Sequence, residues 1–216
     1  MIDVLCSLDM NSARQLLQKK YCAWVALGIL GVTLSSPWVT ARASEPVQIA
    51  QAASQKRAEQ IRIANDLQET GKFAEAEAAF QKLVTDYPDD AVLRYKLGKT
   101  LSSRKRFEEA IAAYRQAIRL DANYAVAHNA LGTALANQGR LDEAMSELQR
   151  AIAINTNYPD PLLILGQLLM QQGKKVDAAA ALEKAKTLFQ QQNRFQDMRR
   201  VEQLLQEIKT AAPDPA

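Results

Sequence analysis

AVLRYKLGKTLSSRKRFEEAIAAYRQAIRLDANY (91–124) runs straight into AVAHNALGTALANQGRLDEAMSELQRAIAINTNY (125–158). The two stretches align at an offset of 34 residues, and twelve of the 34 positions are identical, Leu97/Leu131, Gly98/Gly132, Ala110/Ala144, Ala117/Ala151 and Tyr124/Tyr158 among them. Other positions change but stay apolar, as in Phe107/Leu141, Ile111/Met145 and Leu120/Ile154. A tandem period of this length belongs to a solenoid, in which each unit buries its apolar face against its neighbours.

The phase continues in both directions. Stepping back 34 residues from Gly98 reaches Ala64, and stepping forward from Gly132 reaches Gly166. The spacing therefore predicts four units: 57–90, 91–124, 125–158 and 159–192. Apolar residues recur at helical spacing in each half of a unit, for example Leu131 and Leu135, then Ala144, Leu148 and Ala151. Each unit reads as two amphipathic helices, too short to hold alone, since isolated helices under about 12–15 residues are marginal in water. Gly71, Gly139 and Gly173 mark the turns between the paired helices, and Lys105 stands where the second unit would have its glycine.

Gly98, Gly132 and Gly166 fall inside helices, where each costs roughly 1 kcal/mol relative to alanine. Holding that cost at one phase implies a close approach by the second helix, expected at Ala110, Ala144 and Ala178. On that basis Gly132→Leu destabilises the protein by about 1–3 kcal/mol through overpacking. In the fourth unit, Gly173-Lys174-Lys175-Val176 carries its apolar residue one place late. Residues 193–210 read as a capping helix with Phe195, Met198, Val201, Leu204, Leu205 and Ile208 on its buried face. Arg199, Arg200, Glu202, Gln203 and Glu207 read as its polar outer side. The tail 211–216 reads as disordered.

The chain has 216 residues, 48% hydrophobic and 24% charged but only 6% aromatic, so its core is expected to rest on Ala, Leu and Ile. Arg14, Lys19 and Lys20 precede an uncharged run from Tyr21 to Ala41 whose most apolar part is Ala23 to Leu34. Pro37 is expected to break the helix, and Ala41-Arg42-Ala43 supplies a small-x-small site, so 1–43 reads as a signal peptide cleaved after Ala43. An uncleaved membrane anchor is the alternative, because the run is just long enough to span a bilayer. Either way the remainder is expected outside the cytoplasm, in the periplasm or secreted. Residues 44–56 read as a short lead-in that becomes helical. Beyond residue 43 the chain carries 23 basic and 22 acidic side chains, a balance that argues against a nucleic-acid partner. Cys6 and Cys22 both fall in the leader, so the mature chain has no thiol for a disulfide or a Cys-based zinc site.

Catalytic sets are not found. His128 is the sole histidine and sits at a packing phase, so it reads as a half-buried packing residue, not a ligand or base. No glycine-rich phosphate loop occurs. Glu108-Glu109 and Asp142-Glu143 open second helices, where negative charge favours the helix dipole. No enzyme activity, cofactor or metal site is expected.

These residues resemble the tetratricopeptide repeat family, whose 34-residue pattern runs aromatic-x₂-Leu-Gly-x₂-Tyr, then Ala-x₃-Phe, then Pro. Here the first part reads Arg94-x₂-Leu97-Gly98-x₂-Leu101 and His128-x₂-Leu131-Gly132-x₂-Leu135. The second reads Ala76-x₃-Phe80, Ala110-x₃-Tyr114 and Ala144-x₃-Leu148. No Trp holds the leading aromatic place, and only Pro88 keeps the closing proline. The resemblance covers about 57–192 and implies an all-α, right-handed solenoid of helix-turn-helix units. It also implies a concave groove, lined by first helices, that binds a peptide segment of a partner protein. By phase that groove carries Asn65, then Tyr95 and Lys99, then Asn129, Thr133 and Asn137, then Leu163, Gln167 and Gln171. The Lys/Asn/Arg carboxylate clamp of some members is disfavoured, because Ile61, Val126, Ala130, Asp160 and Ile164 stand at the corresponding places. Self-association through the final helix or the solenoid ends is the remaining alternative. A membrane partner is expected only if the leader is retained.

Overall fold

The computed structural model describes the backbone of residues 37–210 and the side chains of residues 48–210. Residues 1–36, with the apolar run read as a leader, and residues 211–216 lie outside the described residues. The chain divides into two units, Met1–Ala53 and Ser54–Ala216. Among the described residues all regular structure is helical: α1 (Pro37–Glu69), α2 (Phe73–Asp86), α3 (Ala91–Ser103), α4 (Phe107–Leu120), α5 (Ala125–Asn137), α6 (Leu141–Ile154), α7 (Pro159–Gln171), α8 (Lys175–Gln191) and α9 (Phe195–Thr210).

In the first unit, residues 37–53 are helical throughout, so Ala41-Arg42-Ala43 lies on α1. The upstream side of the expected break at Pro37 lies outside the described residues. No described helix is long and apolar enough to cross a membrane.

The second unit is a right-handed solenoid of helix pairs closed by α9. Each helix packs on the next from α2 to α9, and the first helices also touch in succession, α3 on α5, α5 on α7 and α7 on α9. The core is continuous in kind but divided in place. Ala64, Phe80, Leu83 and Leu93 form one cluster at α1–α3. Leu101, Ile111, Tyr114, Leu131, Leu135 and Leu148 form the central one, and Leu162, Leu182, Phe189, Val201 and Leu205 the last. Leu93 of α3 and Leu165 of α7 each complete a cluster begun by an earlier pair, which is how a solenoid couples its units.

One turn geometry recurs five times. The residue after each left-handed position donates back to a carbonyl five earlier: Lys72 to Leu67, Arg106 to Leu101, Arg140 to Leu135, Lys174 to Leu169 and Arg194 to Phe189, at 2.9–3.0 Å. This satisfies carbonyls that a helix end leaves orphaned. The left-handed residues are Gly71, Gly139 and Gly173, but also Lys105 at φ 60° and Asn193 at φ 57°.

The in-helix glycines are closely approached, by different atoms from those expected. A Cβ on Gly98 would lie 2.7 Å from Tyr114 Cε1, on Gly132 2.9 Å from Leu148 Cγ, and on Gly166 2.6 Å from Leu182 Cγ. The limiting side chain is thus four residues beyond the alanine in each pair. Only at Gly132 does the alanine's own carbonyl come as close as 3.0 Å, from Ala144. The late apolar residue of the fourth pair stays unburied, with Val176 83% exposed at the start of α8.

Glu77 breaks the apolar pattern. Its counterparts 34 and 68 residues on are Ile111 and Met145, yet Glu77 is only 6% exposed. Arg106 Nη1 reaches its carboxylate at 2.7 and 2.8 Å, and Arg104 bonds it as well. Both arginines flank Lys105 in the turn that lacks glycine, so α2 is stapled to the α3–α4 turn by charge.

Candidate functional site

The inner row of first helices is held by three kinds of contact. At α1 and α3, Lys96 Nζ donates to Asn65 Oδ1 at 2.8 Å, and Gln68 Nε2 donates to Thr100 Oγ1 at 2.9 Å. Burial and the neighbouring Lys99 ammonium pull Lys96 below the ordinary lysine range, with Glu69 opposing. At α3–α5 the contact is aromatic. Tyr95 packs on Tyr124 at 5.4 Å, edge to face, and on Tyr114 at 5.9 Å. Burial pushes Tyr114 and Tyr124 up to about 12. At α5–α7, Asn129 Nδ2 donates to the Tyr158 hydroxyl at 3.1 Å, while Asn129 Oδ1 is buried with no partner.

Beyond Tyr158 the inner row opens into a hollow of about 430 Å³ between α5, α7 and α9. Its apolar floor is Ala136, Leu163, Ile164 and Leu168, and Thr133, Asn137 and Gln167 supply polar groups. Thr133 and Asn137 spend donors on their own helix, Thr133 Oγ1 to Asn129 O at 2.8 Å and Asn137 Nδ2 to Thr133 O at 2.9 Å. The Asn137 carbonyl and the Gln167 amide are left to face an occupant. Together these groups can seat an apolar side chain and pair with peptide backbone on either side of it.

The wall contributed by α9 is charged. Arg194 grips Asp160 with two parallel bonds of 2.7 and 2.8 Å and also reaches Asp197 at 2.7 Å. The Asp160 carboxylate raises the Arg194 pKa above its ordinary value, against desolvation. Asp160 and Asp197 border the hollow with Arg200.

Four of the nine residues picked from phase meet here: Thr133, Asn137, Leu163 and Gln167. Asn65, Tyr95, Lys99, Asn129 and Gln171 do not line the hollow. Asn65, Tyr95 and Asn129 are engaged in the contacts above, and Lys99 and Gln171 are exposed. Asp160, Ile164, Leu168, Asp197 and Arg200 were not among those picked. One signal was available, since another 34 residues counted from Leu163 reach Asp197. The polar outer side read onto Arg200 is corrected, because that side chain borders the hollow.

His128 lies elsewhere. It is 2% exposed instead of half-buried, with Nδ1 2.6 Å from Glu147 Oε2 and Nε2 3.2 Å from Ala122 O. Both ring nitrogens are committed to fixing α5 on α6 and the preceding turn. Among the described residues no group of three or more His, Cys, Asp or Glu side chains is placed to hold a metal ion. A second hollow, of about 490 Å³, lies beside 86–91. Its arginine, Arg57, stacks on Tyr87 at 4.4 Å and pairs with Asp90, which makes it a structural clasp.

Paired helices with a 34-residue repeat and an inner groove define a helical-repeat protein. Family models described as tetratricopeptide repeat match residues 60–90 and 135–201, and one described as TPR repeat matches 101–139. The chain belongs to the tetratricopeptide repeat family. No curated protein matches it by sequence. Among solved structures, MamA is 25% identical with a TM-score of 0.54, covering 68% of this chain and 94% of its own. PilF of Pseudomonas aeruginosa is 20% identical with a TM-score of 0.57, covering 74% and 79%. The Yersinia enterocolitica type III secretion chaperone SycD, in complex with a peptide of the translocator YopD, is 21% identical with a TM-score of 0.52. It covers 54% of this chain and 89% of its own.

Proposed function

We propose that this protein is a non-catalytic adaptor that holds a peptide segment of a partner protein along its inner face, anchored in the α5–α7–α9 hollow. The observation that carries this reading is the convergence of Thr133, Asn137, Leu163 and Gln167, three polar groups and an apolar floor, on one concave site. SycD, of the same fold, has been solved with a peptide of its translocator, which supports the class of ligand. Asn65, Tyr95, Lys99, Asn129 and Gln171 extend the groove beyond the anchor.

The test is a photo-crosslinker placed at Gln167 in the full chain, with Gln167→Trp as the variant that fills the hollow without entering the core. Crosslinked partner peptides should map to one segment, and Gln167→Trp should cut their capture at least tenfold. Capture that survives in Gln167→Trp puts the site elsewhere. We also propose that the adaptor works outside the cytoplasm after cleavage at Ala43. N-terminal sequencing of the protein recovered from cells checks this, a start at Ser44 being the expected result and an intact leader the result for a membrane anchor.

A further inference from the structure

The charges around the hollow are unequal in their commitments. Its two carboxylates, Asp160 and Asp197, are both bonded to Arg194. Its remaining ionisable group, Arg200, is exposed and pairs with no described side chain. Arg200 therefore presents a guanidinium with no described side-chain partner beside an apolar floor, in a hollow whose two carboxylates both hydrogen-bond to Arg194. Along the inner row, Lys99 stands at the place that Thr133 and Gln167 hold in α5 and α7. It too is exposed and pairs with no described carboxylate. Lys99 and Arg200 are thus two exposed cations on the inner row that no described carboxylate pairs.

We propose that the closing helix α9 is the specificity element of this groove, with Arg200 selecting a partner segment that carries an aspartate or glutamate near an apolar anchor. This rests on the groove reading above and adds the partner's chemistry to it. The apolar side chain fills the floor at Leu163, Ile164 and Leu168, and the Gln167 amide and Asn137 carbonyl pair with the segment's backbone. The acidic side chain then meets Arg200, whose planar fork accepts a carboxylate through two parallel bonds. Arg194 is the positioning residue: by bonding Asp160 and Asp197 it fixes α9 against α7 and holds those carboxylates away from Arg200. An internal acidic residue suffices for this pairing, so no chain terminus is required. Long-range attraction to Lys99 and Arg200 makes the complex weaken with salt.

The experiment uses the full chain and an array of synthetic decapeptides, acetylated and amidated so that none carries a free terminal carboxylate. Binding is read at 50 and 500 mM salt, with circular dichroism confirming that each variant is folded. The wild type should enrich peptides pairing Leu, Ile, Met or Phe with a nearby Asp or Glu, and lose at least fivefold at high salt. Arg200→Glu should weaken those peptides at least tenfold and shift enrichment to Lys or Arg at the acidic place, while Arg200→Lys should keep the acidic preference. Gln167→Trp should abolish both preferences. Enrichment that Gln167→Trp removes but Arg200→Glu leaves unchanged overturns the role given to α9 and leaves the groove standing. A neutral or basic motif in the wild type overturns it as well. No enriched motif at all, or one indifferent to Gln167→Trp, overturns the groove reading and this proposal with it.

Discussion

Lys105 holds a left-handed backbone, φ 60°, in a turn whose counterparts use Gly71, Gly139 and Gly173. A side chain there crowds the following carbonyl, and glycine relieves that strain at some cost in chain entropy. Lys105→Gly should raise stability by about 0.5–1 kcal/mol, read as a higher urea midpoint with an unchanged slope. At Gly132 the constraint is opposite. A methyl group there meets Leu148 Cγ and the Ala144 carbonyl, and a carbonyl cannot rotate away. The propensity gain of about 1 kcal/mol for alanine is outweighed by overpacking of about 1–3 kcal/mol, so Gly132→Ala lowers the melting temperature and Gly132→Leu lowers it further. Glu77 adds a pH dependence. Burial works against its carboxylate, but hydrogen bonds from Arg106 and Arg104 outweigh that and hold it below the usual glutamate value. The unfolded chain takes up the proton first, near pH 4.3, so the clasp stabilises fully at neutral pH and is lost as pH falls through the folded value. Glu77→Gln should cost about 1.5–3 kcal/mol at pH 7, and its unfolding midpoint should converge with that of the wild type as the pH is taken below the folded value.

Helix ends decide how the elements join. Asp90 caps α3, accepting from Val92 N at 2.9 Å and Leu93 N at 3.1 Å, and it also holds Arg57. No side-chain cap is made at the start of α2 or α4–α8, so Asp90→Ala should cost about 1–2 kcal/mol where other first residues tolerate change. At the other end, Arg194→Ala releases α9 from Asp160. Hydrogen exchange should then quicken across 195–210 and leave α3–α6 protected. The sequence pattern made the paired helices of 91–158 legible because apolar spacing and a repeated glycine are backbone demands, met the same way each time. The wall of the hollow was not legible, for a physical reason. Asp160 meets Arg194 across 34 residues, and Asp197 and Arg200 reach the hollow from the closing helix, so the wall depends on side-chain reach that periodicity does not encode. Phe195 was misread for a related reason: it fits the apolar pattern of α9 by spacing, but it is the first residue of that helix and stays 53% exposed.

From Ser54 to Thr210 the protein is a one-dimensional stack, each pair of helices relying on the next for part of its core. Val201 and Leu205 of α9 cover Leu182, Ala185 and Phe189, which otherwise face water. A chain ending at residue 194 should therefore lose the α7–α8 pair along with the cap, and calorimetry should show a broadened transition instead of a simple loss of enthalpy. The tyrosines carry one more consequence. Both tryptophans, Trp24 and Trp38, precede the stack, so its near-ultraviolet light is absorbed by tyrosine, and Tyr95, Tyr114 and Tyr124 form chains of rings under 6 Å apart across α3, α4 and α5. Rings that near exchange excitation, so with Trp24 and Trp38 replaced the central seam carries its own optical gauge. Depolarised tyrosine emission marks it closed, and a recovery of polarisation marks the moment those three helices part.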